Sequence, residues 1–266
     1  MKRFFIIASA LFLATVGTGC VNTQNTMNNK QQNTNQIVID IWSDVVCPFC
    51  YVGKKKLEKA IEELDATERV KVNWHSFQLD PQFPIGESMS TTEYLVERKG
   101  YQEDQVVIMQ KQVTDLGKQY GINFQFDKAK SFNTGRVHRL IHWAKKEGKS
   151  NELKENLMLA YFTKGLNLNE ESNILSVISE TGLDATEAKE ILTSNAFETE
   201  VKNDSIKAQQ MGIRGVPFFL INGKEVISGA QQDLVFINTL KSALADTSAQ
   251  SNNSLGEVCL PDGTCK

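Results

Sequence analysis

The sequence predicts an α/β fold in which a long helical insertion separates two groups of strands. Residues 37–42 form an apolar strand, an amphipathic helix follows, and residues 69–79 alternate between apolar and polar side chains. A strand, a helix and a second strand in this order are typical of parallel strands joined by a right-handed crossover. Residues 90–212 then show the pattern of successive helices, and strands resume only at Val216. We therefore expect one α/β domain, divided in sequence by a helical domain.

The helices are predicted from apolar residues at spacings of three and four. In the first helix the apolar face consists of Leu57, Ala60, Ile61 and Leu64. The clearest helix of the insertion carries its apolar face on Val106, Met109, Val113, Leu116 and Tyr120. Gly121 directly follows this pattern and is expected to end the helix, because glycine adopts the left-handed conformation of a helix C-cap at little cost.

A hairpin signal marks the strands that follow the insertion. Residues 216–221 are almost entirely apolar, and Asn222-Gly223 comes next, a dipeptide typical of a type I′ turn. Residues 225–229 then form the second strand of the predicted hairpin. A closing helix is expected near residues 231–245.

Cys47 and Cys50 are the candidate catalytic residues, because the segment Cys47-Pro48-Phe49-Cys50 lies where the first strand gives way to the first helix. Free N–H groups and the helix dipole at this position stabilise a thiolate more than a thiol. We therefore expect the pKa of Cys47 to lie well below the ~8.5 of a free cysteine. In this interpretation Cys47 attacks a disulfide, and Cys50, one helical turn later, resolves the mixed disulfide.

Metal binding is the main alternative for these residues. A Cys-Pro-x-Cys pair also occurs in zinc knuckles, and Gly53 adds to that likeness. Zinc knuckles lie on tight hairpins and usually need a second pair, whereas this pair opens a helix, so we favour redox chemistry over zinc or an inert structural bridge. His138 and His142 lie four residues apart but lack the glutamate of a metalloprotease. We predict no metal site.

Two segments together resemble the DsbA-like thiol-disulfide oxidoreductases. They are residues 43–53, which include Cys-Pro-Phe-Cys followed by tyrosine, and residues 215–219, which read Gly-Val-Pro-Phe-Phe. Within this family the chain most resembles the FrnE-like branch, and the likeness covers residues 37–245.

The resemblance implies a thioredoxin-like fold with a large helical insertion and a redox-active pair at Cys47 and Cys50. It also implies a cis peptide bond before Pro217, packed beside the two sulfurs. The backbone of the preceding residue would then pair with a substrate chain as a short added strand. The residues expected to bind substrate are Val216, Pro217, Pro48 and Phe49.

The chain departs from the thioredoxin and DsbA pattern in one respect. Those proteins keep a buried acid six residues before the first cysteine, where this chain has Ile41. Asp44 and Asp40 are the candidates for the proton transfer that this acid would perform. Residues 132–139 resemble a stretch that FrnE-like and kappa-class glutathione transferase relatives bring towards the active site, although solvated or packing roles also fit them. Tyr51 fits either a substrate groove or the core.

The N-terminus has the features of an export signal. Residues 1–19 combine a basic start, a short apolar run and small residues, as in a signal peptide. Cys20 follows directly and is the candidate lipidation site of a membrane-anchored lipoprotein; simple cleavage and an uncleaved anchor are the alternatives. Residues 20–36 are almost entirely polar after Cys20 and are predicted to form a disordered tether.

Composition and chain length restrict the other possibilities. The 266 residues carry a formal net charge of −3, which argues against nucleic acid or an anionic membrane surface as a partner. We assign residues 37–80 and 213–246 to the thioredoxin-like domain and residues 81–212 to the helical insertion.

A second cysteine pair lies in the C-terminal tail, residues 247–266. The tail begins with a polar stretch that is expected to be flexible, and a Pro-Asp-Gly turn lies between Cys259 and Cys265. FrnE-like proteins also carry an extra cysteine pair near the C-terminus. The pair fits a local structural clip, an auxiliary redox pair that exchanges with Cys47 and Cys50, or, less readily, a zinc site.

These observations predict an exported protein-disulfide oxidoreductase that needs no cofactor, because the electrons reside in the cysteines. Its partners would be protein thiols or disulfides, a redox partner, and the membrane through a lipid anchor. The enzyme alternative is a glutathione-dependent isomerase or transferase of the 2-hydroxychromene-2-carboxylate isomerase or kappa-class type. The non-enzymatic alternative is a surface lipoprotein that acts as a binding module.

Overall fold

The computed structural model describes residues 36–253, with side chains placed through Thr247. The predicted signal peptide, Cys20 and the pair Cys259 and Cys265 lie outside these residues, as does almost all of the predicted tether. Within the described part, no helix is both long and apolar enough to cross a membrane.

The described residues form six strands and nine α-helices. In chain order these are β1 (Ile37–Ser43), α1 (Pro48–Glu63), β2 (Val70–Ser76), β3 (Ser88–Ser90), α2 (Thr91–Glu93), α3 (Glu103–Lys118), β4 (Lys130–Phe132), α4 (Gly135–Lys146), α5 (Ser150–Phe162), α6 (Glu171–Glu180), α7 (Ala185–Thr193), α8 (Glu198–Gln210), β5 (Phe218–Ile221), β6 (Glu225–Ser228) and α9 (Asp233–Asn253). A 3₁₀ turn, Thr67–Arg69, precedes β2, and a π-helical turn, Tyr94–Arg98, continues α2.

A four-stranded mixed sheet in the order β2-β1-β5-β6 forms the centre of the fold. β1 and β2 are parallel, with Ile37 opposite Val70, which confirms the predicted strand-helix-strand unit. β5 is antiparallel to both β1 and β6. The strands on either side of the insertion therefore belong to one sheet.

The predicted hairpin turn is also present. Asn222 and Gly223 have φ values of 51° and 67°, the left-handed conformation that a type I′ turn requires. The Asn222 side chain accepts the Val38 N–H at 2.9 Å, and the Asn222 N–H donates to the Val38 carbonyl at 2.8 Å. The hairpin is therefore fixed to the first residues of β1.

The two faces of the sheet are covered by different helices. Ile37, Ile39 and Ile41 of β1 belong to the large apolar core that also contains residues of α1 and α9. Trp42 points to the other face, where it packs with Ala208 of α8. This division follows from the alternation of side chains along a strand.

Helix α9 ends far from the start of α1. It begins near the middle of α1, where Asp233 binds Lys59 at 2.9 Å. Its later turns lie near the β5–β6 turn, where Lys224 contacts Asp246 at 3.2 Å. The helix continues to Asn253, beyond the predicted end at Ala245 and into the polar stretch that we expected to be flexible.

The insertion is helical as predicted, with one exception. β3 and β4 form a two-stranded antiparallel ribbon, with Ser88 opposite Phe132. Each strand has three residues, too few to show the alternation by which strands are recognised in a sequence. The predicted stop at Gly121 holds, since α3 ends at Lys118 and Gly121 has a φ of 72°.

On the α8 side of the sheet, Asp204 joins α8 to β2. Its Oδ2 accepts the Ser76 N–H at 2.7 Å and lies 3.0 Å from His142 Nε2, and its Oδ1 lies 2.6 Å from His75 Nδ1. Burial opposes ionisation of this carboxyl, but the bonds to the two histidines outweigh it and hold the pKa of Asp204 well below its ordinary value. The ionised carboxylate therefore stabilises the folded state.

We expect Asp204→Asn to make folding less sensitive to acid. A carboxyl with a lowered folded-state pKa contributes stability that is present above its unfolded value of 3.8 and is lost as the pH falls towards the folded value. Between about pH 5 and pH 2, the free energy of unfolding of the wild type should fall by on the order of 2 kcal/mol more than that of the variant. Urea unfolding at the two pH values measures the difference, and equal losses in both proteins would contradict it.

Candidate active site

Cys47 forms the N-cap of α1. Its backbone is extended (φ −91°, ψ 111°), and its carbonyl accepts the N–H of Cys50 at 3.0 Å and that of Tyr51 at 3.3 Å. Pro48 occupies the first turn of the helix, where its missing N–H would have had no partner within the helix. The short connection from β1 therefore fixes the dithiol at one end of the sheet.

The Val216–Pro217 peptide bond is cis and lies against this dithiol. Cys47 Sγ is 3.6 Å from the carbonyl oxygen of Val216. The close packing depends on Gly53, since a Cβ atom at that position would lie 3.0 Å from Pro217 Cγ. Two segments that are distant in sequence therefore meet at the first turns of α1.

Both sulfurs are buried and unpaired. Cys47 is 4% exposed and Cys50 is 1% exposed. The hydrogen bond with Cys50, together with burial, raises the pKa of Cys47 well above its ordinary value. Burial also opposes ionisation of Cys50, but the hydrogen bond from Cys47 and the charge of Lys154 outweigh it and lower the pKa of Cys50.

The expected low pKa of Cys47 is therefore wrong for the reduced pair. The directions of the two shifts favour the first ionisation at Cys50, and that charge disfavours a second ionisation at Cys47. Cys47 is nevertheless the sulfur that lines the adjoining cavity.

Lys154 of α5 was not predicted as a site residue, yet it is buried beside the dithiol. It is 1% exposed, its Nζ donates to the Ser43 carbonyl at 3.5 Å, and its charge interacts with both cysteines and with Asp44. Burial lowers the pKa of Lys154 to about 8. A signal was present in the sequence, because Lys154 shares a helix face with the apolar residues Leu157 and Met158.

Asp40 lies within β1, whereas Asp44 lies just beyond the end of that strand. Asp44 is fully buried, and its carbonyl accepts the Cys47 N–H at 3.3 Å. Burial opposes ionisation of Asp44, but the hydrogen bond and charge of His138 and the bond from the Leu79 N–H outweigh it, and its pKa is lowered. Asp40 instead binds a histidine of β2 on the face covered by α8. Only Asp44 is therefore beside the dithiol.

His138 and His142 have separate partners. His138 Nε2 lies 3.2 Å from Asp44 Oδ1, which brings part of the segment 132–139 to the active site, whereas His142 binds Ser76 and Asp204. Among the described residues, no group of three or more histidine, cysteine and acidic side chains could hold a metal ion.

A cavity of about 460 Å³ opens beside Cys47, between the sheet domain and the insertion. Phe49 lies at its edge and is 44% exposed, and Pro48 and Val216 line it next to the sulfur. Tyr51 belongs to the core, since its ring stacks on Phe162. Most of the wall is apolar or aromatic and includes Leu79, Tyr94, Leu95, Tyr101, Met109, Val113, Leu116, Phe126, Phe132, Tyr161 and Phe162.

The sequence of residues 38–244 matches the DSBA-like thioredoxin domain family. The chain belongs to this family. The match spans β1 through most of α9, so the DSBA-like domain contains both the sheet and the helical insertion.

Comparison with known proteins and solved structures is consistent with this assignment. The structure is similar to that of a probable DsbA oxidoreductase from Streptomyces coelicolor, with a TM-score of 0.75 and 28% identity over 87% of this chain and 99% of that one. The uncharacterized protein YwbO of Bacillus subtilis is 28% identical over 74% of this chain and 92% of its own length. A 2-hydroxychromene-2-carboxylate isomerase shares the fold, with a TM-score of 0.55 and 17% identity over 81% of this chain and 98% of that one.

In this DSBA-like domain, the structure brings together most of the residues singled out in the sequence. Cys47, Pro48, Phe49, Val216 and Asp44 line the cavity beside the dithiol. Pro217 packs against the first turns of α1. Lys154 and His138 complete the buried surroundings of the sulfurs, and Asp40 does not reach them.

Proposed function

We propose that this DSBA-like protein is an extracytoplasmic thiol-disulfide oxidoreductase that exchanges disulfides with protein substrates through Cys47 and Cys50. The observation that carries the proposal is the position of Cys47, which caps a helix, contacts the Val216 carbonyl and faces a cavity open to a substrate. The sequence of residues 1–20 supports export and a lipid anchor at Cys20.

In the reducing direction, Cys47 passes its proton to Cys50 and attacks one sulfur of the substrate disulfide. The substrate's second sulfur leaves as a thiolate with the bonding electrons, and Cys47 becomes joined to the substrate. Cys50 then loses its proton, attacks Cys47 and releases the remaining substrate thiolate. The enzyme ends as a disulfide, and the substrate has gained two electrons. The oxidising direction is the reverse of these steps.

Asp44 is the acid that we assign to proton transfer. Its ionised carboxylate is buried with His138, within the surroundings of both sulfurs. The proton that leaves Cys50 during resolution therefore has an adjacent acceptor in the Asp44–His138 pair, while the charge of Lys154 stabilises the Cys50 thiolate.

Substrate would bind across Pro48, Phe49, Val216 and Pro217. The exposed ring of Phe49 and the apolar cavity suit an apolar side chain close to the substrate cysteine. The Val216 backbone next to the cis bond would pair with the substrate chain.

Reduction of insulin in the presence of dithiothreitol tests the proposal. The wild type should accelerate the precipitation of the released insulin chains, and Cys47→Ala should not, because it lacks the attacking sulfur. Equal rates for both proteins and for dithiothreitol alone would overturn the proposal. Glutathione-dependent turnover of an aromatic substrate, without insulin reduction, would instead favour the isomerase or transferase class.

A further inference from the structure

All three histidines of the chain lie in the described residues and belong to polar contacts that start beside the dithiol. His138 contacts Asp44 at 3.2 Å, and His142 follows it one helical turn later on α4. Side chains four residues apart on a helix are neighbours, with Cβ atoms about 5–6 Å apart. A proton path through both rings would need one bridging water molecule between them.

From His142 the contacts continue through the α8 side of the sheet. His142 Nε2 lies 3.0 Å from Asp204 Oδ2, and Asp204 Oδ1 lies 2.6 Å from His75 Nδ1. His75 Nε2 in turn lies 2.8 Å from Asp40 Oδ1. Each of these distances is short enough for a hydrogen bond, so that a proton can move from one side chain to the next.

Exposure increases along this network. The side chains of Asp44 and His138 are 1% exposed, whereas His142 is 11% and Asp40 is 21% exposed. The network thus leads from the buried dithiol to solvent on the opposite face of the sheet from α1.

A route for protons to solvent would serve the step in which Cys50 resolves the mixed disulfide. While Cys47 is joined to a substrate, that substrate covers the cavity side of the site, and Cys50 must still lose a proton before it can attack. Cys50 itself is 1% exposed. A second route to water would allow resolution while the substrate remains bound.

We propose that His138, His142, Asp204, His75 and Asp40 form a proton path that connects Asp44 and the dithiol with solvent on the α8 side of the sheet. The inference rests on the proposed function and adds positioning residues to it. These residues do not touch the substrate; they carry the proton released by Cys50 outwards and, in the oxidising direction, carry one inwards.

The surroundings of the histidines suit proton transfer. An ionised carboxylate accepts hydrogen bonds but donates none. His75 can therefore donate to both Asp204 and Asp40 when both of its ring nitrogens carry a proton, and to one of them when a single nitrogen does. Other polar and charged groups that face the path come from β2 and α5, namely Ser76, Asn73 and Lys154.

The two steps of exchange can be timed separately with dithiobis(nitrobenzoate), an aromatic disulfide that releases a coloured thiolate. When the reduced full-length protein is mixed with it, the attack by Cys47 releases the first thiolate and resolution by Cys50 releases the second. His142→Leu should leave the first phase unchanged and slow the second at least about tenfold, with a larger solvent deuterium isotope effect, because proton transfer then limits resolution.

Two further variants make the outcome decisive. His142→Gln can retain polar contacts with Ser76 and Asp204 but cannot carry a proton, so it should also slow the second phase. Asn156→Ala removes a neutral side chain whose partner, Thr181, lies outside the path, and it should change neither phase. The path is overturned if both phases and the isotope effect of folded His142→Gln match the wild type, or if both phases slow equally. A wild type that releases neither thiolate would instead refute the proposed function.

Discussion

Cys50→Ala should trap the substrate on Cys47 as a stable mixed disulfide. Cys47 is the sulfur that lines the cavity, and without Cys50 nothing within the dithiol can displace the bound substrate. Multiple turnover should fall by at least about a hundredfold, while the first attack continues. A non-reducing gel of the variant incubated with reduced and reoxidising substrate proteins shows the adduct.

The same variant should have a more acidic Cys47. The hydrogen bond to Cys50 is the main cause that raises the pKa of Cys47, and the charge of Cys50 raises it further. Both influences vanish in Cys50→Ala, so the pKa of Cys47 must fall. Titration of the thiolate absorbance measures it, and iodoacetamide should react with Cys47 at lower pH than in the wild type. An unchanged or raised pKa, or an adduct that still forms in Cys47→Ala, would contradict this account of the pair.

Lys154→Met should make the dithiol less acidic and a weaker oxidant. The buried ammonium group favours the thiolate of Cys50, so its removal raises the pKa of that thiol. A less stable thiolate means a less stable reduced form, and the equilibrium shifts towards the disulfide. Each unit of pKa corresponds to roughly 1.4 kcal/mol, or about 30 mV in a two-electron couple. Equilibration with glutathione redox buffers near neutral pH should show the potential becoming more negative.

Lys149→Met is the matched control for this change. Lys149 lies immediately before the same helix, but its ammonium group binds the carbonyls of Thr181 and Gly182. This control should keep the wild-type potential. A potential that is unchanged in Lys154→Met, or that becomes more positive, would show that the lysine does not stabilise the reduced form.

Much of the fold could be predicted because its signals are local. The apolar run of β1, the helix that begins at Pro48 and the Asn222-Gly223 turn each depend on residues close together in sequence, and the structure contains all three. The ribbon of β3 and β4 gave no such signal, because each strand is too short to show a period.

The candidate site was predicted less completely because its charges converge from separate elements. Asp40 and Asp44 are four residues apart in sequence, and only their partners, His75 and His138, distinguish them. The helix dipole alone predicts a low pKa for Cys47, but in the pair the hydrogen bond with Cys50 raises it. Lys154 lies more than a hundred residues from both sulfurs in sequence and meets them only because α5 packs against the sheet domain.

The course of α9 limits how close the C-terminal cysteines can come to Cys47 of the same molecule. Asp246 lies beside the β5–β6 turn, at the end of β1 opposite the dithiol, and the helix continues to Asn253 before the tail begins. Cys259 follows six residues later. Six residues of extended chain span at most roughly 20 Å. This distance is about the length of β1 alone, at ~3.3 Å per residue. Electron exchange between these cysteines and Cys47 would therefore take place between two molecules, and its rate would rise with the protein concentration.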